Sequence, residues 1–215
     1  MQRFCYRGQY HDSAVLDFVQ TKKDHIEQLL RDGKIYTVTV FAFDNQNLFV
    51  YFECVDKILT PTDILPGIEV YMNEWPGNAA PRWFVPMTEV YHSIQPNEEE
   101  LPLWHRTEHA VPHGMMSLMK MELLSSYTFW HVQLQEEKPA HCGRHLSIWM
   151  SEHIGLLYEE KPDAGIENPH KGMLDTHNTP EDWPGTMRPH FNDFPDGKMY
   201  HDADIILTMS EGDLV

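Results

Sequence analysis

Apolar positions along the chain recur at two spacings, and the places where the spacing changes mark the elements. Residues 2 to 10 are rich in aromatics and predict a strand. Behind Asp12-Ser13, which suits a helix N-cap, Val15, Phe18, Val19, Ile26, Leu29 and Leu30 fall at helical spacings until Asp32-Gly33 stops the helix. Lys34 to Asp44 is dense in β-branched and aromatic residues. Asn45-Gln46-Asn47 is turn-like and Leu48 to Cys54 resumes the pattern, which predicts a hairpin. Thr62 to Asn73 holds Ile64, Leu65, Ile68, Val70 and Tyr71 and predicts a second, short helix, weakened by Pro66-Gly67. Trp83 to Ser93 reads as a closing strand, so the order is β-α-β-β-α-β.

After a stretch with Pro96, three glutamates at 98 to 100, Pro102 and Pro112, the order restarts. Met115 to Leu123 suits a strand. Ser125-Ser126 is placed to cap a helix from Tyr127 to about Lys138, which Pro139 to Gly143 would end. Leu146 to Met150 and Gly155 to Glu160 predict a hairpin, in which Leu156-Leu157-Tyr158-Glu159-Glu160 echoes Phe49-Val50-Tyr51-Phe52-Glu53. Residues 161 to 180, rich in Pro, Gly, Asn, His and Asp, read as an irregular loop, and Lys198 to Met209 as a last strand.

The two halves also share a rarer signature. Glu74-Trp75-Pro76-Gly77, then Pro81 and Phe84, returns as Asp182-Trp183-Pro184-Gly185, then Pro189 and Phe191, 108 positions on (183 − 75). Tyr91-His92 returns as Tyr200-His201 at nearly the same offset (200 − 91 = 109). Trp, Pro and Gly in one order twice indicate a duplicated unit. The expected organisation is a first repeat over 1–93, a polar connector over 94–114 and a second repeat over 115–215. Each repeat reads as a ferredoxin-like α+β unit with one bare sheet face, and a bare apolar face must pack against something. Two repeats packed sheet to sheet would form an intramolecular α+β barrel with a cavity, and association into a homodimer is compatible with that arrangement.

Composition narrows the function. Of 215 residues 41% are hydrophobic and 12% aromatic, which excludes a disordered chain, and no apolar run reaches the ~20 residues of a membrane span. Met1-Gln2-Arg3-Phe4 is unlike a secretory leader, so a cytoplasmic location is expected. Cys5, Cys54 and Cys142 form no CxxC and are an odd number, which suggests buried thiols and no disulfide framework. A net charge of −17 argues against a nucleic-acid partner and disfavours an anionic ligand, leaving a neutral polar small molecule as the best fit.

With its helix-ending Gly33, the aromatic-rich Leu48-Phe49-Val50-Tyr51-Phe52-Glu53 and the closing Met87-Thr88-Glu89-Val90-Tyr91-His92, one half resembles the L-rhamnose mutarotases, members of the dimeric α+β barrel superfamily. The resemblance implies an isomerase that interconverts the anomers of a neutral monosaccharide without a cofactor. In that family the first helix carries a Tyr and a His four residues apart for acid–base chemistry, and Tyr127 and His131 match that spacing in the second half. Residues i and i+4 share a helix face, so both side chains can reach one sugar. The first half departs from the pattern, with Ala14 and Phe18 at the matching positions and His25 two turns later. The family's Tyr after the helix-ending Gly is matched by Tyr36, and His145 stands at the comparable place in the second half.

Further substrate-binding candidates come from the repeat. Trp75 and Trp183 are either stacking platforms or packing anchors. Tyr91-His92 and Tyr200-His201 alternate across a strand, so one member of each pair faces the cavity, and His92 and His201 are the candidates chosen. The 14 histidines raise a metal reading. His105, His109 and His113 are spaced by four, but Pro112 argues against a helix there; His170, His177, His190 and His201 with Asp175 and Asp182 form a looser set without a tight motif. No metal site is therefore assigned. Two other readings stand beside the mutarotase: a non-catalytic carbohydrate- or small-molecule-binding protein, and a metal- or haem-dependent oxidoreductase on a two-repeat α+β barrel.

Overall fold

In the computed structural model, which describes residues 1–77, 80–106, 108–138, 143–162, 165 and 172–214, the predicted hairpin of the first half is the centre of one sheet. Strands β1 (Gln2–Gln9), β2 (Ile35–Phe43) and β3 (Asn47–Cys54) pair antiparallel, with β4 (Phe84–Pro86) beside β1. The order β2-β3-β1-β4 is the ferredoxin-like one. Every residue of β3 is buried and nearly all of β2, which is why both read as continuous apolar runs. Asp44 and Asn45 turn the hairpin at φ of 54° and 57°, a left-handed conformation that Asn and Asp tolerate.

Two helices, α1 (Ala14–Gln20) and α2 (Lys23–Arg31), replace the single one expected, with the break at Thr21-Lys22. They bring Val15, Val19, Ile26 and Leu30 into a core with Val38, Val40, Val50 and Phe52. Burial of such a side chain contributes roughly 1.5–3 kcal/mol. The short helix predicted over 62–73 is divided at Pro66-Gly67 into α3 (Pro61–Ile64), capped by a reciprocal Thr60/Asp63 box, and a 3₁₀ turn over Ile68–Tyr71. Gly67 makes the division with a φ of 91°.

The second half repeats the plan with β6 (Val111–Met119), one continuous helix α5 (Leu124–Glu137), β7 (Ser147–Ser151) and β8 (Ile154–Lys161). Its closing strand begins as β9 (Phe191–Asn192) and continues as β10 (Tyr200–Asp202), both antiparallel to β6.

The closing strands divide between sheets. The strand expected over 83–93 breaks at Met87, and its second part, β5 (Thr88–His92), pairs with β7 of the second sheet. The strand expected over 198–209 breaks at Ala203, and its second part, β11 (Asp204–Ser210), pairs with β2 of the first. Each ferredoxin-like sheet thus gains a strand from the end of the other repeat, giving the orders β11-β2-β3-β1-β4 and β10-β6-β8-β7-β5. The added strands cover the edges that β2 and β7 would otherwise leave unpaired. As a result the compact units, residues 1–87, 96–112 and 203–215 in one and 88–95 and 113–202 in the other, are cut differently from the sequence repeats 1–93 and 115–215.

The connector 94–114 is less polar than its composition suggests. It carries α4 (Leu101–Trp104), then Arg106, into the first unit around Glu53, which has no solvent exposure. The Glu53 carboxylate accepts from Tyr51 Oη (2.7 Å), Trp104 Nε1 (2.8 Å) and Arg106 Nη1 and Nη2 (2.5 and 3.0 Å). A carboxylate in a buried strand needs a counter-charge and donors, and the connector supplies both. Helix α4 stops at Trp104, so His105, His109 and His113 are not aligned. His105 pairs with Glu211, His109 with Asp213, and His113 with Glu159 and Asp202.

Candidate functional site

Strand periodicity and one helix face build a cavity inside the second unit. Met115 and Ser117 project from β6 two residues apart, α5 contributes Tyr127 and His131 one turn apart, and Trp183 and Met187 come from α6 (Trp183–Met187). Phe191 and Tyr200 complete the wall, around a volume of about 490 Å³. This lies within the ~300–1,000 Å³ common for small-molecule sites. The lining is chiefly apolar, with Ser117, Tyr127, His131, Arg188 and Tyr200 as its polar members. Gly155 on β8 makes room for Ser117, because a Cβ there would lie 2.6 Å from the Ser117 hydroxyl oxygen.

His131 is the chemical centre. It is only 4% exposed, and its Nδ1–H donates to the Tyr127 carbonyl oxygen at 2.9 Å, four residues back along α5. A carbonyl can only accept, so this bond fixes the tautomer and leaves the Nε2 lone pair for the cavity. Burial disfavours the charged ring; the Tyr127 carbonyl opposes that effect and nearby His190 adds to it, with the result that the pKa falls to about 4. At neutral pH His131 is therefore a neutral base. The ring is held at a centroid distance of 4.1 Å from Tyr127, 5.1 Å from Trp183 and 6.1 Å from Tyr91, the last two edge-on.

Tyr127 is 5% exposed, and burial, reinforced by Tyr200, pushes its phenol well above the usual range. It remains a protonated hydrogen-bond donor. His190 packs edge-on against it at 5.9 Å while bonding Ser126 Oγ (2.9 Å) and the Met187 carbonyl (3.2 Å). Ser126, expected to cap the helix, instead holds His190, and α5 starts three residues earlier than expected, at Leu124. Arg188 at the cavity wall is half-exposed and paired with Asp193 at 2.8 Å.

At the far end of α5 a second arrangement fixes the loop that leads to Trp183. The Glu137 carboxylate accepts from the Asn178 and Thr179 amides (2.8 and 2.6 Å) and from the Thr176 and Thr179 hydroxyls. Burial works against the carboxylate, but these four bonds outweigh it and hold its pKa at about 2. Asp182 then caps α6 by accepting from the Gly185 amide at 3.0 Å.

Of the sequence candidates, Tyr127, His131 and Trp183 come together in this cavity. Tyr36 and Trp75 belong to the other unit: Tyr36 is buried against His105, and Trp75 lies under the Arg7 guanidinium at 5.3 Å, as a packing anchor does. His92, His145 and His201 are not in the cavity lining. His92 sits 3.4 Å from Glu89, and its amide donates to Gln135 Oε1. His145 is buried 4.0 Å from Glu160. His201 pairs with Asp196, and of the Tyr200-His201 pair it is the tyrosine that faces the cavity. The choice of the histidines does not hold: Tyr200 lines the cavity in place of His201, and neither Tyr91 nor His92 is in its lining.

His25 donates to the Asp63 carbonyl at the surface of the first unit. Cys5 and Cys54 are buried free thiols, while Cys142 and His170 lie outside the described residues. Among the described residues no three His, Cys, Asp or Glu side chains converge as a metal site, and no helix is long and apolar enough to cross a membrane. His190 and Ser126 carried other readings, a loose metal set and a helix cap, because the bond that joins them behind Tyr127 is tertiary. The Glu137 loop clamp left only a trace in the sequence, the small polar residues Thr176, Asn178 and Thr179.

No protein-family model matches the chain, and no curated protein does. Two solved structures are similar in backbone course: a presumed monooxygenase of Fusobacterium nucleatum (10% identity, 98% of this chain and 94% of that one, TM-score 0.46) and a presumed monooxygenase of Lactobacillus acidophilus (5% identity, 99% and 98%, TM-score 0.47). At those identities the chemistry of this site rests on its own residues.

Proposed function

We propose that the second unit binds a small molecule with a largely apolar body and relocates a proton on it, with His131 Nε2 as the base. The observation that carries this reading is a buried imidazole whose Nδ1–H is committed to the backbone and whose other nitrogen is left for the cavity. In such a step Nε2 takes a proton from a substrate O–H or C–H, and the electron pair of that bond moves into the substrate. The Tyr127 hydroxyl donates a hydrogen bond to the oxygen that gains charge, and the imidazolium returns the proton at a second position. An imidazolium in a dry pocket is a strong acid, so the proton goes back quickly, and the net outcome is an isomerisation.

Anomer exchange of a sugar is the specific form favoured by the Tyr127/His131 pair and by Trp183 at the cavity wall, whose indole would stack on an apolar sugar face. With five polar side chains at the cavity, a deoxy sugar with an apolar edge suits it better than a fully hydroxylated one. Magnetisation-exchange NMR between α and β anomers, with L-rhamnose first in a small panel, tests this form. Exchange that accelerates with protein and is lost in a folded His131→Ala variant supports it. Acceleration that survives the substitution removes His131 from the role, and no acceleration of any sugar removes the sugar form.

A further inference from the structure

The polar row next to the cavity is built on the same three strands as its wall. On β6, His113 shares a face with Met115 and Ser117; on β8, Glu159 shares a face with Leu157; on β10, Asp202 shares a face with Tyr200. These strands are neighbours in the order β10-β6-β8, with Tyr200 opposite Ser117 and Asp202 opposite Met115. His113 lies between the two carboxylates, its Nδ1 3.1 Å from Glu159 Oε1 and its Nε2 2.8 Å from Asp202 Oδ1.

Opposite ring nitrogens face the two acids, so the group cannot converge on one metal ion. It has a different requirement. A carboxylate only accepts, so both contacts are hydrogen bonds only when both ring nitrogens carry protons. A neutral imidazole turns a lone pair towards one of the acids, and that contact becomes repulsive.

We infer that His113 is a proton-operated clasp beside the cavity: the protonated ring ties β10 to β6 and β8, and loss of the proton loosens the strand that carries Tyr200. Strand β10 is three residues long and terminal in its sheet order, paired with β6. The charged groups facing the ring are Asp202 from β10 and Glu159 from β8, the latter also paired with Lys161 at 3.1 Å. The Asp202 bond, with that of Glu159, raises the His113 pKa above its ordinary value, and partial burial opposes them. The consequence is that the Tyr200 wall closes at lower pH and relaxes as pH rises. Only that consequence rests on reading the cavity as a binding site.

Amide hydrogen exchange of the full chain, followed by mass spectrometry between pH 6 and 9 and corrected for intrinsic exchange, reads the strand without any ligand. Its result is therefore independent of the proposed activity. Because the side chains are partly exposed, protection over residues 200–202 is expected to fall about two- to fivefold as pH rises in the wild type. His113→Gln is expected to show the released level at every pH. Asp202→Asn, a change at a largely exposed side chain, should reproduce that loss if the first variant folds poorly. An imidazole NMR titration is expected to place His113 above 6.5. A midpoint at or below 6.5, or a variant that keeps the wild-type pH step, overturns the clasp.

Discussion

Acidification provides a test of the site that needs no substrate. His131 has its pKa lowered by burial to about 4, whereas in the unfolded chain it returns to the ordinary value of 6.5. The unfolded state therefore takes up a proton first as pH falls. The native state loses stability progressively from pH 6.5 down to 4 and loses no more from this group below that. At about 1.4 kcal/mol per pKa unit, the interval between 6.5 and 4 amounts to roughly 3 kcal/mol, a large part of the stability of most domains. The perturbation that isolates it is His131→Phe, which keeps an aromatic ring among Tyr91, Tyr127 and Trp183 but cannot titrate. Denaturant unfolding of both proteins at half-unit pH steps gives the difference directly, and groups common to both cancel. The wild type should lose about 3 kcal/mol relative to the variant between pH 7 and 4. Parallel curves over that range would refute the claim that His131 is a buried neutral base, and an imidazole titration near 6.5 in the native protein would refute it as well.

Glu53→Gln leaves Arg106 buried without its counter-charge and should cost about 3–5 kcal/mol, read as a lowered denaturant midpoint. Gly155→Ala forces the Ser117 hydroxyl away from a Cβ placed 2.6 Å from it. It should destabilise by about 1–3 kcal/mol and shrink the cavity, so that any ligand found by thermal shift binds more weakly. Below pH 4.5 the unfolded chain protonates Glu137 before the native state does. The loop anchored through Thr176 to Thr179 should therefore lose amide protection as pH falls from about 4.5 to about 2, and Glu137→Gln should remove that pH dependence.

The β-α-β-β-α-β order of the first half was legible because it is written in local periodicity, and the hairpins because β2, β3, β7 and β8 join apolar runs through short turns; in the second half the five-residue α6 was too short to leave such a pattern. The division of the closing strands was not. Trp83 to Ser93 reads as one strand because both parts are strands, and nothing within the segment records that β4 and β5 pair in different sheets. The connector misled for a related reason. Its four glutamates and three prolines dominate the composition, while Trp104 and Arg106, which matter to Glu53, are two residues in twenty-one. At the site, Tyr127 and His131 were singled out by the family resemblance, whose i,i+4 spacing they match. Choosing between Tyr200 and His201 required the register that sets Tyr200 opposite Ser117.

The two repeats differ beside the cavity of the second unit. The hairpin motif is preserved in both copies, with Tyr51 donating to Glu53 and Tyr158 to Glu160 at 2.7 Å each. The offset of 107 (158 − 51) maps Leu48 onto Gly155, and the closing-strand offset of 109 maps Gly8 onto Ser117. In the first unit Gly8 faces Leu48 across the ladder, and a Cβ on Gly8 would lie 2.4 Å from Met72 and 2.7 Å from Phe84, so those side chains already fill the space beside it. In the second unit the small residue has moved to the neighbouring strand, and Ser117 projects a hydroxyl where the first unit has packed hydrocarbon. The conserved tryptophan follows the same division: Trp75 lies under Arg7 and braces its turn, whereas Trp183 sits against His131 at the cavity wall. The two repeats share one frame, with the glycine on β1 in the first, where Met72 and Phe84 lie beside it, and on β8 in the second, where it faces Ser117 at the cavity. Reversing that difference is a direct test of the argument. A Ser117→Gly, Gly155→Leu double variant should keep the fold, since it restores the pairing of the first unit, and should abolish ligand-induced stabilisation together with any catalysis by His131. Undiminished ligand stabilisation in that variant would mean that the binding space lies elsewhere.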